Sequence, residues 1–233
     1  MPCTLPASLA DAAVCRGSFH AVLGREAGEA VFADFSAALQ KAQADGRILT
    51  ASLFRYENHL FFYAEGLNRP FTPQGLCPAL DAALLPWPPA LGEAAPRPWA
   101  AMQPYFYHDV PTTAADWQQG RCPQRRRGRI ALLPPDSWCS YMEHHLRIVT
   151  EGLVEGDRWH LICVQEGVLF SYLEEPRTNV NIKHRPGAHS PELDAWIAAD
   201  PESHFARFTP EQKAHPDSGH NFVFLPRIAG TED

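Results

Sequence analysis

Long apolar runs are missing from this 233-residue chain, and with them one whole class of protein. No stretch approaches the roughly 18 consecutive apolar residues that a bilayer-spanning helix needs. The start, Met1-Pro2-Cys3-Thr4-Leu5, has no basic region with an apolar stretch behind it, so a signal peptide is not expected. Paired cysteines are missing too. The six cysteines stand at 3, 15, 77, 122, 139 and 163, none in a Cys-x-x-Cys unit, which fits free thiols in a reducing, cytoplasmic setting. There is no phosphate-cradling glycine loop and no nucleotide fingerprint. Positive charge is in short supply: 20 Lys and Arg against 27 Asp and Glu leave a formal charge of -7, a poor basis for holding nucleic acid.

Histidine is unevenly spread. Eight of the eleven (His144, His145, His160, His184, His189, His204, His215 and His220) lie in the second half, which raises the question of a metal. Their spacing lacks the tight ligand pairs of zinc sites, so no metal is expected.

The apolar fraction of 45% is enough for two cores, and the length suits two units. In the second half, Gly128–Leu133 reads as a strand closed by Pro134-Pro135. Asp136 reads as an N-cap, followed by a helix over Ser137–Leu153 with apolar residues at helical spacing. Arg158–Val164 and Val168–Glu174 read as a hairpin about Gln165-Glu166-Gly167, Ser190–Ala199 as a helix capped by Ser190, and Asn221–Arg227 as a closing strand.

The first half repeats this β-α-β-β-α-β order: Ser18–Leu23, Glu29–Ala44, Ile48–Tyr56, Leu60–Gly66, Pro78–Leu84 and Trp99–Tyr107. Local echoes agree. His59-Leu60-Phe61-Phe62-Tyr63-Ala64-Glu65 matches Val168-Leu169-Phe170-Ser171-Tyr172-Leu173-Glu174 in type, and Pro78-Ala79-Leu80-Asp81-Ala82 matches Pro191-Glu192-Leu193-Asp194-Ala195. The expected architecture is α+β: two tandem ferredoxin-like units, 1–110 and 128–233, joined by a linker over 111–127. Each unit leaves one apolar sheet face that the other unit could cover, giving a dimeric α+β barrel within one chain. Arg121, Arg125, Arg126 and Arg127 make the linker locally basic; a solvated crossover is the plain reading, and an anion or nucleic-acid patch the sharper one.

The helix over Ser137–Leu153 concentrates the chemistry. Tyr141 and His145 lie four residues apart on one face, with Trp138 bordering it. An indole to stack on a sugar, a phenol to hold a hydroxyl and an imidazole to move protons would suit a polyol. The plain alternative is aromatic core. His144 points about 100° away from His145 and is expected to be exposed. The donor-rich loop Glu175–Gly187, with Arg177, Asn179, Asn181, Lys183, His184 and Arg185, reads as a solvated loop or as a substrate rim. Cys139 and Cys163 read as thiols without a catalytic motif.

The stretch Ala131–Leu146, with Tyr141-Met142-Glu143-His144-His145, resembles the first helix of the L-rhamnose mutarotases, which bears a Tyr-x-x-x-His motif. Leu169-Phe170, Trp196 through Asp200 and Phe222-Val223-Phe224-Leu225 follow in similar order, so the resemblance covers nearly all of Arg129–Arg227. It implies a single ferredoxin-like unit, a cofactor-free exchange of aldose anomers, His145 as acid/base and Tyr141 beside it in sugar binding. Where that family has paired tryptophans this chain has His204-Phe205, and His160 and Cys163 stand near the place of its second-strand tyrosines. Trp138, His160, His204 and Phe205 are therefore the expected substrate contacts. Aligning Leu39 with Leu146 sets Asp34 and Ala38 at the positions of Tyr141 and His145, so the first copy is expected to lack the site. The leading expectation is a mutarotase-like enzyme acting on a monosaccharide, as a monomer or homodimer. The rivals are a cofactor-independent monooxygenase on the same scaffold and a non-catalytic, small-molecule-binding or stress-related barrel.

Overall fold

The computed structural model describes residues 7–179, 182–213 and 218–231. Asn181, His215 and Cys3, singled out above, lie outside them. In chain order the elements are β1 (Val14–Val22), α1 (Glu29–Ala44), β2 (Ile48–Tyr56), β3 (His59–Leu67), α2 (Pro78–Asp81), β4 (Ala100–Ala101), β5 (Gln103–Phe106), α3 (Ala114–Gln118), β6 (Arg125–Leu132), α4 (Pro135–Glu151), β7 (Val154–Glu155), β8 (Leu161–Gln165), β9 (Val168–Glu175), β10 (Lys183–His184), α5 (Pro191–Ala198), β11 (Val223–Leu225) and β12 (Arg227–Gly230). Among the described residues no helix is long and apolar enough to cross a membrane.

The chain forms two compact α+β units, each built on a five-stranded antiparallel sheet. The first comprises residues 1–102, 111–122 and 226–233, with strand order β12-β2-β3-β1-β4; the second comprises 103–110 and 123–225, with order β11-β6-β9-β8-β5. Both follow the β-α-β-β-α-β order read from the sequence.

The unit boundaries differ from the halves 1–110 and 128–233 because each closing strand is divided. Trp99–Tyr107 breaks at Met102: Ala100 and Ala101 pair with β1, whereas Gln103–Phe106 pair with β8. Asn221–Arg227 breaks in the same way, with Val223–Leu225 on β6 and Arg227–Gly230 on β2. Pro104 is tolerated because β5 is an edge strand, where a missing N–H disrupts no second ladder.

The presumed linker is ordered structure. It holds α3, whose Trp117 is fully buried and whose N-cap Thr113 accepts a hydrogen bond from the Asp116 amide at 3.2 Å. It also holds the first residues of β6. The basic run is not a solvated patch. Arg121 and Arg126 are buried beside Glu65 and Glu174, at 2.6 and 3.6 Å, and Arg127 meets Glu175 at 3.0 Å; only Arg125 is exposed. Acidic partners on β3 and β9 absorb this charge.

Local sequence accounts for the helix ends. Pro135 takes the first helical position of α4, so Pro134 rather than Asp136 is the N-cap. Asp136 stabilises the first turn through the helix dipole. Gly152, at φ +70°, ends the helix in the left-handed region. The Ser190 hydroxyl caps α5 by accepting from the Leu193 amide at 3.0 Å, as its sequence suggests. β8 begins only at Leu161, because the His160 amide bonds back to the Asp157 carbonyl and closes a turn where a strand was expected from Arg158. The β8–β9 turn places both Glu166 and Gly167 at positive φ, the twist-matching two-residue hairpin.

In the first unit, α1 and α2 cover one sheet face with an almost wholly apolar layer of Leu23, Phe32, Phe35, Leu39, Leu53, Phe62, Leu80 and Trp99 among others. In the second, α4 and α5 cover the matching face.

Candidate functional site

The two layers differ at one place, and the sheet registers locate it. Phe19 on β1 pairs with Phe62 on β3; the corresponding pair on β6 and β9 is Arg129 with Ser171. On the helices the buried stripe Phe35, Leu39, Ala42 corresponds to Tyr141, His145, Ile148. This corrects by one residue the alignment of Leu39 with Leu146, since Leu39 is fully buried and Leu146 is 47% exposed. Thus Phe, Phe, Phe and Leu of the first unit stand where the second has Arg129, Ser171, Tyr141 and His145. Burying polar groups costs free energy that the first unit avoids at the same positions.

Around these residues the second unit gathers an aromatic cluster. The His145 ring lies 4.2 Å from Tyr141, 4.6 Å from Trp196, 4.7 Å from Phe106 and 5.6 Å from Tyr105, centroid to centroid. Phe205 and His204 approach Tyr141 at 5.1 and 5.9 Å, and His160 lies 6.2 Å from Phe106. Tyr141, His145, His160, His204 and Phe205 therefore share one buried cluster, and the rings already touch.

Trp138 does not join them. It is 40% exposed in the first turn of α4, in a surface groove with Met142, Leu146 and Arg147. His144 is half-buried, its ring 5.4 Å from that of Trp196, rather than exposed. Cys163 is buried and Cys139 exposed.

The electrostatics follow from burial. His145 Nδ1–H donates to the Tyr141 carbonyl at 2.8 Å, which fixes the neutral tautomer and leaves the lone pair on Nε2. Burial lowers its pKa to about 4, with the neighbouring imidazoles of His144, His108 and His204 adding to the fall. Burial raises the phenols of Tyr105 and Tyr141 above their ordinary range. His108 is lowered, again mainly by burial. Arg129, lowered to about 10 by burial and by Arg177, stays charged. At neutral pH the cluster thus holds an uncharged base, two protonated phenols and one cation.

Among the described residues, Arg177, Asn179 and Arg185 of the loop Glu175–Gly187 donate within the unit itself. Arg177 Nε donates to Asp157 at 2.9 Å, Asn179 to the Gly156 carbonyl at 3.0 Å, and Arg185 to Asp109 at 2.6 Å. Among the described residues no group of three or more His, Cys, Asp or Glu is arranged to hold a metal ion.

The sequence alone does not single out Tyr105 and Phe106, which it assigns to the first unit's closing strand, nor His108, which follows that strand, nor Arg129 as a site residue. Pro104 inside the run Trp99–Tyr107 was a signal of an edge or a break. Arg129 had one too, as a cation inside the otherwise apolar run Gly128–Leu133.

No protein family matches this chain, and no curated protein is similar to it. Among solved structures, a "putative monooxygenase" from Fusobacterium nucleatum aligns over 94% of this chain and 94% of its own at 8% identity and a TM-score of 0.39. Another "putative monooxygenase", from Lactobacillus acidophilus, aligns over 94% of this chain and 96% of its own at 6% identity and a TM-score of 0.37. Likeness that slight carries no argument about what the chain does.

Proposed function

We propose that the helix–sheet layer of the second unit supports a cofactor-independent oxygenation of an aromatic substrate bearing an acidic methylene. The substrate gives a proton to His145 Nε2. The resulting carbanion passes its electrons to molecular oxygen and forms a carbon–oxygen bond; the imidazolium returns its proton to the peroxide oxygen, and the hydroperoxide then loses water to leave a carbonyl. One oxygen atom stays in the product and the other departs in the water.

The observation that carries this reading is the buried, neutral, tautomer-fixed imidazole of His145 among rings. At neutral pH His145 is uncharged and its Nε2 can accept a proton, whereas its conjugate acid is scarce. Mutarotation of a sugar needs an acid for the ring oxygen as well as a base. Here the imidazolium is scarce, and burial makes both phenols weaker acids. The apolar rings of Phe106, Trp196 and Phe205 about His145 and Tyr141 would pack on a flat apolar skeleton, once side chains shift to admit it, better than on a set of hydroxyls. The sheet-face substitutions relative to the first unit support a site in this unit alone.

A second reading rests on the touching rings: a layer already filled suits a non-catalytic role, and a substrate must shift side chains to enter. Oxygen uptake with anthrone, read with anthraquinone formation, separates the two. Turnover above the spontaneous rate in wild type, lost in His145→Leu, is the expected result. Equal rates with and without protein sink the oxygenase. Anomer exchange of monosaccharides that is faster with wild type than with His145→Leu would put mutarotation in its place.

A further inference from the structure

Arg129 makes no hydrogen bond or ion pair among the described residues, although its Nε is shut off from solvent. The residue as a whole is half-buried. Its guanidinium carbon lies 4.2 Å from the centroid of the Phe222 ring. An aromatic face attracts the cation but accepts none of its in-plane N–H donors in the way a carboxylate would. Nearby charges leave it uncompensated. The Glu202 carboxylate accepts from the Asn221 side chain and lies beyond ion-pair distance of Arg129, while Arg177, the other cation, is engaged by Asp157. The phenols of Tyr105 and Tyr141, both protonated, are the remaining polar groups that influence it. The first unit completes the same sheet position with Phe19, so the fold does not require a cation there.

A partly desolvated, planar five-donor group without an acceptor is destabilising in the free protein and is satisfied by an oxyanion. We infer that the ligand of this layer is an aromatic anion, an arylcarboxylate or phenolate whose oxygens meet Arg129 while its ring lies among the neighbouring rings. This rests on reading the layer as a small-molecule site, and not on oxygenation.

The test is calorimetric titration of the full chain with salicylate and with neutral benzamide. Wild type is expected to bind salicylate saturably and at least tenfold more tightly than benzamide. Arg129→Phe, which installs the first unit's residue, is expected to keep the fold by circular dichroism and to lose at least tenfold in salicylate affinity. Arg129→Lys keeps the charge without the fork and is expected to fall between. If Arg129→Phe does not fold, the benzamide comparison and Arg129→Lys still decide. No saturable salicylate binding, equal affinity for benzamide, or unchanged affinity in the folded variants overturns the inference. Arg129-dependent salicylate binding without anthrone oxygenation would leave this inference standing and remove the oxygenase.

Discussion

The imidazole of His145 is tied to its own helix, Nδ1–H to the Tyr141 carbonyl one turn earlier at 2.8 Å. That bond selects which nitrogen is basic. It also keeps the ring under the aromatic layer, where protonation is disfavoured.

A pH dependence of stability follows. The folded pKa of His145, about 4, lies below its ordinary 6.5, so the unfolded chain binds the proton more readily. The stabilisation is fully present above about pH 6.5 and declines as pH falls toward 4, by about 3 kcal/mol for this group. His145→Leu, which places the residue of Leu39 at the corresponding position, is expected to flatten the slope of unfolding free energy between pH 4 and 6.5. An unchanged slope in urea titrations of the variant would refute the assignment.

The buried carboxylate of Glu65 accepts from the Tyr63 hydroxyl at 2.7 Å and from Arg121 at 2.6 and 2.9 Å. Removing it strands a buried cation, so Glu65→Ala is expected to cost about 3–5 kcal/mol. Tyr172 and Glu174 repeat the hydroxyl–carboxylate bond at 2.6 Å beside Arg126. Glu174→Ala is therefore expected to be costly as well. Denaturation midpoints close to wild type for both would contradict this account.

Phe62 is fully buried, between Phe35 at 5.8 Å and Trp99 at 6.1 Å. Phe62→Ala is expected to destabilise the first unit by about 3–5 kcal/mol through the cavity it leaves. Salicylate affinity should be unaffected, since the second unit holds the cluster. A loss of affinity in folded Phe62→Ala would show dependence on the first unit's layer.

Trp138, in contrast, is a surface residue. Trp138→Ala is expected to shift stability by no more than about 0.5 kcal/mol. Anthrone turnover should be unaltered, and the exposed indole should be readily quenched by acrylamide in the wild type. A large loss of turnover would return Trp138 to the substrate.

Periodicity made α1, α5 and the two hairpins legible. These are elements whose local pattern and capping agree with their packing, as at Ser190 and at Glu166-Gly167. The division of the closing strands was not legible. Strand partners are chosen by sheet edges distant in sequence, and nothing local at Met102 or Pro226 states which ladder comes next. The Tyr141 and His145 stripe was visible from helical spacing. Its companions Tyr105 and Phe106 were hidden by the same change of partner, and Trp138 has stripe spacing yet is exposed in the first turn of α4, which spacing alone does not reveal. The basic run looked solvated because its acidic partners Glu65, Glu174 and Glu175 lie roughly 50 residues away in sequence.

The interleaved closing strands bear on what happens when the backbone is cut. A protease acting near Gly120 yields two pieces, neither carrying a complete sheet: the N-terminal piece lacks Arg227–Gly230, which covers the edge of β2, and the C-terminal piece lacks Gln103–Phe106, the neighbour of β8. Each piece would bare an unpaired edge that invites aggregation. Expressing the repeats separately by dividing the gene at that point would thus yield fragments short of a strand, however plainly the sequence displays two copies.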